Sequence, residues 1–108
     1  MNRSLFLKVA LGALTLLTIG ADKPPREVFQ SLRSPADATA CLADQIRGFD
    51  SPQVSPSAGG RTRIVTRIMH VTRIDLTVVP GERTTIELRS RPSKKLRQIL
   101  AICQAPAA

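Results

Sequence analysis

The sequence predicts a small α+β domain, with a three- to four-stranded antiparallel sheet, two helices packed on one of its faces and one disulfide beneath them. Three observations carry that expectation. Residues 61–91 alternate apolar and charged positions, which is the period of a strand. Two shorter segments, near 35–47 and 94–103, repeat apolar residues at three-and-four spacing behind a capping serine, which is the period of an amphipathic helix. Each of those segments also holds one of the chain's two cysteines.

The first segment reads as an address. Arg3 and Lys8 precede an uncharged run over 9–19 that ends in the small residues Gly20 and Ala21, the order of a secretory signal peptide. A spanning helix needs about 20 apolar residues, so the run is too short to cross a bilayer unless Leu5 to Leu7 are added and Lys8 snorkels. Residues 1–21 are therefore expected to be cleaved and the rest exported, with the periplasm as the expected location. The alternative is a leader retained as an inner-membrane anchor.

Of 108 residues, removal of those 21 leaves 87, a chain whose core is small enough to need a staple. Cys41 and Cys103 supply one, since export places them where a disulfide forms and persists. No CxxC pair is present, and two cysteines with one histidine make a poor zinc set, so neither a redox site nor a metal site is expected.

Along the chain, residues 22–33 read as a Pro-Pro linker followed by an edge strand or an irregular arm. Ser34 is placed to cap a helix over 35–47, with Pro35 at its first position and Asp37 complementing the dipole. Gly48 is expected to end it in a left-handed conformation. The buried stripe is read as Ala38, Cys41, Leu42 and either Gln45 or Ile46. Residues 49–60, rich in Ser, Pro and Gly, read as a structureless loop. Beyond them Ile64, Ile68, Ile74, Leu76, Val78, Ile86 and Leu88 occupy even positions, and the odd ones include Arg61, Arg63, Arg67, Arg73, Asp75, Arg83, Glu87, Arg89 and Arg91. As one straight strand, 61–79 would run about 60 Å, so a break is expected near Met69 and His70. Val79-Pro80-Gly81-Glu82 reads as a type II turn joining strands near 72–79 and 83–90. Ser93 then caps a helix whose Leu96, Ile99, Leu100 and Cys103 share one face, so the domain is bounded at 34–104, with 105–108 a frayed tail.

The charge is one-sided. Of a net +8, residues 22–60 hold four basic and five acidic groups, whereas 61–97 hold ten and three. Period two puts Arg61, Arg63, Arg67, Arg73, Arg83 and Arg89 on the face opposite the Ile and Leu side chains, an anion-binding candidate. The guanidinium fork matches phosphate and carboxylate, so the expected partner is an anionic envelope component such as an acidic lipid or glycan, or an acidic protein surface. The competing account is a wet sheet face that is merely solvated and protected from edge aggregation. A second functional reading is a protein-interaction or inhibitor domain using the 49–60 loop. Nucleic acid is not expected, given export and the absence of Trp and Tyr. No enzyme is expected either: His70 is the single imidazole, the carboxylates are scattered, and no catalytic residue or cofactor motif stands out.

Overall fold

The computed structural model describes residues 24–107. The expected leader, its expected cleavage site and Ala108 lie outside the described residues. Seven principal elements follow one another: β1 (Glu27–Ser31), α1 (Pro35–Arg47), β2 (Gln53–Ser57), β3 (Arg61–Ile68), β4 (Val71–Val79), β5 (Thr84–Leu88) and α2 (Lys94–Gln104). The strands form one antiparallel sheet in the order β1-β5-β4-β3-β2. The fold is α+β as expected, but the sheet has five strands rather than three to four.

Local chemistry sets the helices. Ser34 Oγ accepts the Asp37 N–H at 3.1 Å, Pro35 opens the first turn, and the helix over Pro35–Arg47 has the expected bounds. Ser93 Oγ does the same for the Leu96 N–H, also at 3.1 Å. Replacing Ser34 with alanine leaves that donor without its cap, and a loss of about 1 kcal/mol in urea unfolding is expected. Gly48 departs from expectation. It keeps right-handed dihedrals (φ −67°, ψ −17°), because Gly48, Phe49 and Asp50 donate in turn to the Gln45 and Ile46 carbonyls and unwind the helix gradually.

The two helices lie on one face. Ala38, Leu42 and Ile46 from α1 meet Leu96, Ile99, Leu100 and Cys103 from α2 above Ile64, Ile74, Leu76, Val78, Ile86 and Leu88. Ile46, not Gln45, completes the α1 stripe. The Cys41–Cys103 disulfide joins the helices, with the Cα atoms 5.7 Å apart. Its closure spans 62 residues and ties the first helix of the fold to the last.

The end of α2 is held by the segment after β1. Ser31 Oγ donates to the Cys103 carbonyl (2.7 Å), the Leu32 N–H to Gln104 O (2.9 Å) and Arg33 Nε to Ala105 O (2.9 Å). Three carbonyls that a helix end would otherwise leave open are thus satisfied, and the arginine lies where the helix dipole is negative. Arg97 on α2 also grips Glu27 of β1 with two nitrogens, at 3.1 and 2.7 Å. That hydrogen bond first, and the charge of Glu27 second, hold the guanidinium pKa above its ordinary value. Residues 27–31 are accordingly an ordered edge strand, the first of the two alternatives read from the sequence.

Three further expectations change. Residues 53–57 within the expected loop pair with β3 as an edge strand, and Ala58–Gly60 form a short 3-10 turn. Pro56 fits there because an edge position needs no donor on its outer side. Gly81 lacks the positive φ of a type II turn, so Pro80 to Arg83 connect β4 and β5 in another conformation. The expected break at Met69 and His70 is a two-residue hairpin turn, with φ of 49° and 71°. A register shift between Thr66 and Arg67 precedes it, and every residue from 67 to 73 is exposed, so Ile68 is not part of the core despite its even number.

Candidate anion-binding face

Among the described residues no helix covers the other face of the sheet. It is built in cross-strand rows. Ser55, Arg63, Thr77, Glu87 and Val28 lie opposite one another from β2 to β1, and Gln53, Val65 and Asp75 form the next row. Arg61, Arg63 and Arg67 emerge from β3 at alternate positions, so their Cα atoms are about 7 and 13 Å apart along the strand.

Counter-charges share this surface. Arg63 grips Asp75 with both forks, Nε to Oδ1 at 3.0 Å and Nη2 to Oδ2 at 2.7 Å. Asp75 is itself fixed, because its N–H donates to Ser90 Oγ at 3.0 Å and its carbonyl accepts the Arg89 N–H at 2.9 Å. Arg89 Nη2 bonds Glu87 Oε1 at 2.8 Å. Arg63 and Arg89 are thus internally compensated.

The remaining four differ in place. Among the described residues Arg67 makes one long contact, 3.5 Å from Nε to Thr72 Oγ1. Arg61 has no carboxylate within ion-pair distance among the described residues. Arg73, beside the register shift, reaches Asp50 at the end of α1, with 3.9 Å between charges and no hydrogen bond. Asp50 belongs to the helix layer, so Arg73 is drawn away from the face on which parity put it. Arg83 lies in the β4–β5 connection and, with Arg33, Glu82 and Leu32, lines an open depression of about 410 Å³ at the end of the sheet. The structure therefore brings Arg61, Arg63 and Arg67 together on β3, carries Arg89 on the same face at the β5 end, and separates Arg73 and Arg83.

The residues missed by the site reading are Asp75 and Glu87. Their signal was present, since both occupy odd positions and so share the arginines' face. His70 stands exposed at the apex of the β3–β4 hairpin.

Fold and face together define a disulfide-linked α+β domain with one apolar, helix-covered sheet surface and one open surface whose positive charge is concentrated on β3. Comparison with protein families, with characterised proteins and with solved structures finds no match for this chain.

Proposed function

We propose that the protein is an exported, non-catalytic accessory module of the cell envelope that binds an anionic component through the open face of its sheet. The observation that carries this reading is the set Arg61, Arg63 and Arg67 on β3, of which Arg61 and Arg67 have no carboxylate partner among the described residues. A fixed row of guanidiniums on a rigid strand presents forks to phosphate, sulfate or carboxylate groups with little ordering cost. The disulfide supports the exported location, since such bonds persist in oxidising compartments.

The test uses heparin as a polyanion probe across a salt series. Arg61→Ser with Arg67→Ser is expected to weaken binding about tenfold and to lower the slope of log affinity against log salt by roughly one per arginine. These two are chosen because neither leaves a carboxylate stranded, whereas loss of Arg63 would abandon Asp75. Lys94→Ser with Lys95→Ser removes the same charge from the start of α2. If that control weakens binding as much, the protein responds to net charge alone and the face reading fails.

A further inference from the structure

The hairpin tip between β3 and β4 does something the core does not ask of it. Ile68 is 45% exposed, Met69 86% and Val71 63%, three large apolar side chains on four consecutive residues. None of them joins the core cluster. The two turn residues are Met69 and His70, both at positive φ, where L side chains are strained and where Asn-Gly is the ordinary choice for a two-residue hairpin. The tip thus combines two costs, exposed apolar surface and backbone strain, that a purely structural turn would avoid.

Its surroundings say what it meets. From Arg61 to Ile74 the chain has four arginines and no acidic residue. Arg67 lies one residue before the tip on one strand and Arg73 two residues after it on the other. At about 3.3 Å per residue the apolar tip is roughly 7 Å tall, the depth to which interfacial elements enter a bilayer, and the arginines then fall at the level of the headgroups. Three apolar side chains around an apex shared with His70, flanked by Arg67 on one strand and on the other by Arg73, which is half exposed and 3.9 Å from Asp50 without a hydrogen bond, match an anionic lipid surface, apolar below and negative at the boundary. An acidic protein patch would satisfy the arginines and leave the apex in water.

We infer that the β3–β4 hairpin inserts Met69, with Ile68 and Val71, into a bilayer of acidic phospholipid while Arg67 and Arg73 contact the headgroups. The inference rests on the anion-binding reading of the face and names its partner as a membrane surface. It also assigns an orientation: the sheet stands on its β3–β4 end, with the far end of β3 away from the lipid.

The chain has no Trp or Tyr, so a single introduced Trp reports its own surroundings. The full chain carrying Met69→Trp is mixed with phosphatidylcholine vesicles containing or lacking phosphatidylglycerol, and with the same vesicles brominated on their acyl chains. Val71→Trp is the second reporter should the first substitution disturb folding, and Ser57→Trp marks the opposite end of the β2–β3 pair. The expected result is a blue shift and bromine quenching of the Trp at the tip with phosphatidylglycerol vesicles only, and no shift at the far end. Because the readout is local, binding through any other part of the chain does not produce it. Equal shifts at both ends would overturn the inference and lay the face flat on the membrane, leaving the anion-binding reading intact. No shift at the tip, with heparin binding retained, would overturn it in favour of a non-lipid anion. A blue shift at the tip without vesicles would also overturn it, since a second copy of the chain then covers the hairpin. Loss of heparin selectivity together with silence at the tip sinks both readings.

Discussion

Replacing Cys41 and Cys103 with alanine is expected to lower the stability of the domain by about 4 kcal/mol. The disulfide closes a loop of 62 residues, and the chain-entropy account assigns that amount to the freedom regained by the unfolded chain. A domain of this size has on the order of 5–10 kcal/mol in total, so about two-fifths of it or more is at stake. In melting temperature the fall is roughly 20 °C, at about 4–8 °C per kcal/mol. Alanine is the right replacement because Cys103 is buried and a serine hydroxyl there would add a desolvation cost of its own. Either single substitution should lose about as much as the pair, since one cysteine alone closes no loop; the two losses are thus far from additive. Calorimetry with and without reductant checks the same quantity in the unmodified chain. Transitions within about 2 °C of each other would mean that core packing alone carries the fold.

The helices were legible because their signals are local. Ser34 and Ser93 cap within three residues, and the buried stripes repeat every three or four, so bounds and faces both followed from the sequence. Strands β4 and β5 were legible for a similar reason: one side of each is buried, and burial of one side writes period two. β2 was not, since every residue of it is exposed and nothing alternates. Its existence depends on pairing with β3, a non-local fact, and Pro56 argues for a loop unless the strand is known to be an edge. The register shift at Thr66 and Arg67 was equally hidden. It explains why parity held along β3 for Arg61, Arg63 and Arg67 but failed on β4, where Arg73 is the unmatched residue and turns to Asp50.

The division of the sheet into a dry face and a wet one has a consequence as large as that of the disulfide. Leu76 lies in the middle of the central strand, opposite Ile64 and Leu88 in one row, and is wholly buried under the helices. Leu76→Ala removes three carbons from that row and leaves a cavity that rigid neighbours on both sides cannot fill, so a loss of about 3 kcal/mol is expected, or roughly 15 °C in melting temperature. Thr77 is the next residue and is also buried, yet it points to the open face, between Arg63 and Glu87. Its cross-strand neighbours Arg63 and Glu87 carry long stems, which can close over a smaller residue. Thr77→Ala is therefore expected to change stability by less than about 1 kcal/mol. The contrast between two neighbouring buried residues measures the sidedness of the sheet directly. Comparable losses would mean that both faces are packed, and a face packed against something else could not hold its arginines out to an anionic surface.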